Sequence, residues 1–76
     1  MNNLVLYATS NCHLCEQAQR IIYTTLGAYV QEIDIVDDER LVENYGLRIP
    51  VLRCAETGVE IDWPFDGKDI RLLVET

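Results

Sequence analysis

The sequence predicts one α/β domain over residues 1–76, with element order βαβα then ββα, a four-stranded mixed sheet and helices on both faces. Three observations carry that reading. In the first half, the apolar period switches between strand-like and helix-like spacing. Pro50 then opens a stretch that folds back on itself as a hairpin, and a short helix begins at Asp66. At 76 residues, roughly 60% of the unfolded chain's surface can be buried, which allows one core and not two.

Asn3 to Ala8, "NLVLYA", is an apolar run containing the β-favouring Val5 and Tyr7, and it stops at the polar Thr9-Ser10-Asn11. It reads as a buried strand. From Cys12 to Leu26 the apolar positions Leu14, Ala18, Ile21, Ile22 and Leu26 recur at three and four residues, one face of a helix. Ser10 or Asn11 is placed to cap its start and Gly27 its end, so Cys12 falls in the first turn and Cys15 inside the helix. Ala28 to Val36 alternates Tyr29, Val30, Ile33 and Ile35 with polar residues as a strand does. Asp37 can cap the next helix and Gly46 end it. Pro50 to Ala55, the turn Glu56-Thr57-Gly58 and Val59 to Trp63 make the hairpin, and the last helix runs from Asp66. A right-handed crossover joins the first two strands.

Thirteen acidic side chains against six basic ones give a net charge of -7, and the cations are scattered. Phosphate contacts need clustered cations, so nucleic acid is excluded as a partner. The start has no basic segment, and no apolar run approaches a membrane span, which predicts a soluble, cytoplasmic protein with no membrane partner. A chain this small and acidic is expected to be a monomer. Three cysteines, an odd number, speak against a disulfide scaffold and for chemistry or plain burial.

Cys12 and Cys15, three positions apart at a helix start, are close enough for a disulfide or for one soft metal ion; geometry alone does not choose. Unpaired N–H groups and the helix dipole would stabilise a Cys12 thiolate below the ordinary thiol value of about 8.5, which makes Cys12 the nucleophile. Cys15, one turn deeper, is placed to attack a mixed disulfide on Cys12 and release the product. His13, when protonated, would favour the thiolate further and raise the reduction potential. Its alternative role is that of a solvated side chain. Glu16 suits the helix dipole, or serves as a proton-transfer group for Cys15.

The cysteine pair followed by "YGLRIPVL", Tyr45 to Leu52, resembles the thioredoxin superfamily. The immediate start on the first strand, the "CHLC" pair and the "WPFD" tail, Trp63 to Asp66, are similar to a small bacterial group of glutaredoxin-like proteins. The resemblance covers nearly the whole chain and implies a thioredoxin-like, glutaredoxin-type fold. It further implies that Pro50 is cis and lies against the cysteines, and that the backbone of Ile49 pairs with substrate in β fashion. X-Pro is the common site of a cis bond, and an open backbone edge can dock an extended peptide.

The implied activity is thiol-disulfide exchange on a disulfide-containing protein or a small thiol substrate, with no cofactor and no resident metal. Glutaredoxins hold glutathione with a Gly-Gly pair and a following acidic residue. Here Gly67 and Asp69 are kept, but Asp66 stands in the first glycine's place, where a carboxylate repels the anionic tripeptide. No lysine precedes Cys12 to compensate, which counts against glutathione.

Two other functions stay open at this point. One is a soft-metal or iron-sulfur module in which Cys54, His13 or an exogenous thiol completes the site. The other is a redox-inactive adaptor on the same fold. Cys54 is expected as a small core hydrophobe, Trp63 as a packing residue closing one end of the sheet, Tyr7 in the core or at the rim, and Arg48 as a solvated charge.

Overall fold

The computed structural model describes residues 3–75, and its elements follow the predicted order. They are β1 (Leu4–Ala8), α1 (His13–Leu26), β2 (Gln31–Asp34), a 3₁₀ turn (Ile35–Asp37), α2 (Glu39–Tyr45), β3 (Val51–Cys54), β4 (Glu60–Asp62) and α3 (Gly67–Glu75). The strands lie in the order β2-β1-β3-β4. β1 is parallel to β2 and antiparallel to β3, and β3 and β4 form the antiparallel hairpin.

Side chains alternate across each strand, so the sheet carries two different faces. Leu4 and Leu6 of β1 and Leu52 and Cys54 of β3 point to one face. There they meet Ala18 and Ile22 of α1, Ile70 and Leu73 of α3, and Phe65. Leu6, Ile22, Leu52 and Ile70 are wholly buried, and each contributes roughly 1.5–3 kcal/mol of transfer free energy. The other face is smaller. Val51 packs with Ile35 and Tyr45, flanked by Tyr7, Leu41 and Ile49, under α2 and the 3₁₀ turn.

Several boundaries differ from the expected ones, each for a local reason. α1 is capped by Cys12 itself rather than by Ser10 or Asn11. β2 begins three residues late because the Gln19 side chain takes the place of a strand neighbour for Val30. Its Nε2 donates to Val30 O at 2.9 Å, and its Oε1 accepts from Val30 N at 3.2 Å. The strand ends early because the Asp34 carboxylate accepts from Val36 N at 3.1 Å and starts the 3₁₀ turn. Asp38, not Asp37, caps α2, accepting from Arg40 N at 2.8 Å.

β3 starts at Val51, since Pro50 has no N–H for the ladder. Gly27 ends α1 in the left-handed region at φ 79°, the conformation that suits glycine at a helix C-terminus. Gly46 ends α2 for a different reason: its backbone is right-handed, but a Cβ there would sit 2.5 Å from Val42 O. Among the described residues, no helix is long and apolar enough to cross a membrane.

Candidate active site

β1 leaves the sheet at Ala8, and Thr9 to Asn11 carry the chain over to α1. Asn11 adopts a left-handed backbone, φ 58°, which asparagine tolerates better than most residues. That bend delivers Cys12 to the N-cap position, where a side chain that accepts hydrogen bonds is wanted. The Cys12 sulfur fills the role usually taken by a serine or aspartate oxygen, accepting from Cys15 N at 3.1 Å. Cys12 and Cys15 stand at disulfide-bonding distance, with Cα atoms 5.2 Å apart. Cys12 is half-buried, whereas Cys15 is 3% exposed, so one sulfur faces the rim and the other the protein.

His13, between them, is almost fully exposed, with Nδ1 3.8 Å from Glu16 Oε2. Glu16 is exposed too, and lies in the first turn of α1. The pairing of Tyr7 with Val51 puts the head of β3 at the end of the sheet from which Thr9–Cys12 departs. Ile49 and Pro50 precede that head, and their peptide bond is cis, as is that of Trp63–Pro64. Pro50 is wholly buried and Ile49 half-buried. The Pro50 carbonyl accepts from Trp63 N at 3.1 Å. Trp63 packs on the main core and meets Phe65 edge-on, 5.2 Å between ring centres.

Arg48 is not the solvated charge expected of it. Its guanidinium grips Asp62 with two hydrogen bonds, 3.0 and 2.8 Å, and Glu60 with a third, 2.9 Å, while lying 5.1 Å over the Tyr45 ring. The sequence hides this because β4 becomes a partner only through the hairpin register. Glu60 also accepts from Arg53 at 2.8 Å and from the Tyr45 hydroxyl. Burial works against the charge on Glu60, but hydrogen bonds from Tyr45, Arg48 and Arg53 outweigh it and hold the carboxyl below its ordinary value. Burial and the neighbouring Glu60 push the Tyr45 hydroxyl up. Tyr7 stacks on Tyr45 at 4.2 Å, so it serves this rim.

Cys54 lies wholly buried in the main core. Among the described residues, no group of three or more His, Cys, Asp or Glu side chains is gathered to hold a metal ion. At the start of α3, Asp66 and Asp69 cap each other: Asp69 N donates to Asp66 Oδ1 and Asp66 N to Asp69 Oδ2, both at 3.0 Å. The backbone N–H of Asp69 keeps the Asp66 carboxyl below its usual range. A cleft of about 530 Å³ lies at the opposite end of the sheet beside Asn3, Tyr29 and Ala55, away from the cysteines.

Comparison with known proteins agrees with this geometry. The family model described as a glutaredoxin-like domain (DUF836) matches residues 3–75. A crystal structure of the structural-genomics target protein XcR50 from X. campestris is 40% identical. The match covers 95% of each chain, with a TM-score of 0.83. The solution structure of the same target matches over 99% of this chain and 94% of that one, at 40% identity and a TM-score of 0.82. The solution structure of protein Ne2328 from Nitrosomonas europaea is 28% identical, covering 93% of this chain and 88% of that one, with a TM-score of 0.74. No curated protein matches.

Proposed function

The chain belongs to the glutaredoxin-like domain family, and from that premise we propose that it is a thiol-disulfide oxidoreductase working through the Cys12–Cys15 couple. The observation that carries the reading is the placement of Cys12 as the cap of α1, with the Cys15 N–H directed at its sulfur. A negative charge developing on Cys12 is stabilised there by that N–H and by the helix dipole.

In the reducing direction, the Cys12 thiolate attacks a substrate disulfide. The Cys12–substrate bond forms as the substrate S–S bond breaks, and the first substrate sulfur leaves as a thiolate that takes up a proton. Cys15, deprotonated, then attacks the Cys12 sulfur and releases the second substrate thiol. Two electrons have passed to the substrate, and the Cys12–Cys15 disulfide awaits an external dithiol.

The substrate is a disulfide-bearing protein or a small disulfide that reaches the rim at Ile49–Pro50. A dithiol donor is favoured over glutathione, because the N–H groups of Asp66 and Asp69 are already occupied by carboxylates that also repel an anionic tripeptide. The cytoplasm is the compartment in which such a couple is kept reduced and the protein cycles as a monomer.

A redox titration of the pair, read by thiol alkylation and mass spectrometry, tests the proposal. A single two-electron transition within the family span of about -270 to -120 mV is expected. Cys15→Ser should accumulate a mixed disulfide at Cys12 and Cys12→Ser should be inactive. Disulfide reductase activity that survives Cys12→Ser would sink the mechanism.

A further inference from the structure

The hydrogen-bond pattern of the sheet fixes what β2 offers on its outer side. Ala55 N donates to the Asn3 carbonyl at 2.8 Å, which makes Asn3–Ala55 a hydrogen-bonded pair, and Val5–Arg53 and Tyr7–Val51 follow at every second residue. Leu4, Leu6 and Ala8 therefore turn their backbone groups toward β2. Leu6 stands opposite Glu32 in the parallel ladder, so the β2 residues that bond back to β1 are Gln31 and Ile33. Val30, Glu32 and Asp34 face the other way, and among the described residues β2 is the last strand on that side. The Gln19 side chain covers Val30 N and O. The N–H and C=O of Glu32 and the N–H of Asp34 are left on the free edge, where an extended segment can pair with them.

Two open clefts meet at Glu32. One, of about 540 Å³, lies between α1 and β2 beside Glu16, Arg20 and Tyr29. The other, of about 210 Å³, runs past Asp34 to Thr9 and Ser10, in the loop that leads to Cys12. Three carboxylates, those of Glu16, Glu32 and Asp34, and one guanidinium, that of Arg20, line the two. A second copy of this chain, pairing edge to edge, would bring acid against acid, whereas a basic segment complements the groove.

We infer that the β2 edge docks an extended basic segment of a protein substrate. The segment adds a fifth strand beside Glu32 and sets its lysines or arginines against Glu16, Glu32 and Asp34. That the partner is a substrate rests on the proposed oxidoreductase reading; the docking itself needs no turnover. A segment seated in the groove holds its own protein at the end of the sheet where Cys12 stands.

The test titrates isotope-labelled protein with a ten-residue peptide alternating lysine and threonine, which carries no cysteine, and follows the backbone amides by NMR. Saturable shifts at the Glu32 and Asp34 amides are expected, and none from a peptide alternating glutamate and threonine. Glu32→Gln removes a charge and keeps the outward N–H; Kd should rise about threefold at low salt. Glu32→Pro removes both, on an edge strand where a proline costs the ladder to β1 nothing, and Kd should rise a further threefold to tenfold or about that, the loss of one hydrogen bond. With wild type, the lysine–threonine peptide N-methylated at every second residue should lose affinity by a similar factor.

Equal affinity for the N-methylated peptide, or shifts scattered over every acidic face, overturns the inference and leaves the oxidoreductase reading standing. A dimer of the free protein that Glu32→Pro dissolves also overturns it, assigning the edge to a second copy. Protein that binds the peptide at β2 but reduces no disulfide overturns the parent reading instead, and with it the partner's being a substrate, but not the docking.

Discussion

Asn11 carries a burden that its place in a polar turn does not advertise. Its left-handed backbone aims Cys12 at the helix start, and a Cβ-bearing residue less tolerant of that region is strained there. Asn11→Ala should lower stability by about 1 kcal/mol, read from denaturant midpoints at unchanged m, and Asn11→Gly by much less. His13 is a weaker lever. Its side chain is 92% exposed and a carboxylate lies nearby, so solvent and Glu16 both blunt its field on the Cys12 sulfur. In weakly acidic solution His13→Ala should lower the reduction potential by only about 10 mV, measured against glutathione buffers. Cys12 and Cys15 were legible as a pair from spacing alone. That Cys12 caps the helix rather than sitting in its first turn was not, because the choice among Ser10, Asn11 and Cys12 depends on the backbone bend at Asn11.

At the scale of elements, the hairpin β3–β4 is fastened to the Tyr45–Pro50 segment by charge. Glu60 is the centre of that fastening, with donors from Tyr45, Arg48 and Arg53. Its carboxyl is held below the unfolded value of about 4.3, so the stabilisation is fully present above that pH. As pH falls toward the depressed folded value, the unfolded chain takes up the proton first and the stabilisation is lost. Thermal melts from pH 6 to pH 3 should therefore show a steeper acid loss for wild type than for Glu60→Gln. Equal slopes would mean that the network contributes nothing. Turn and hairpin were readable from Pro50, Gly58 and the apolar runs; the Arg48 pairing was not, since residues 12 and 14 positions apart in the chain meet only once the register is set.

Over the whole molecule, a radius of gyration of 11.4 Å matches one compact domain of this length. The charge of -7 is spread over this small body, and two of the six cations, Arg48 and Arg53, are tied to Glu60 and Asp62. The long-range field is therefore negative, and it steers substrates by their charge. A basic peptide disulfide should be reduced with a higher kcat/KM than an acidic one of equal length. The gap should close as ionic strength rises from about 0.01 to 1 M, where the Debye length shrinks from about 30 to 3 Å. A gap that ignores salt would place the discrimination in contact chemistry instead.

The element order and the cysteine pair were determined by the sequence itself, because apolar period, turn residues and short-range spacing are local properties of a chain. The strand order β2-β1-β3-β4, the sharing of Glu60 by Tyr45, Arg48 and Arg53, and the capture of the Ile49 N–H by Tyr45 belong to the tertiary structure. Each depends on which groups the folded sheet brings within hydrogen-bond reach, a relation between distant or bent segments that no local pattern encodes.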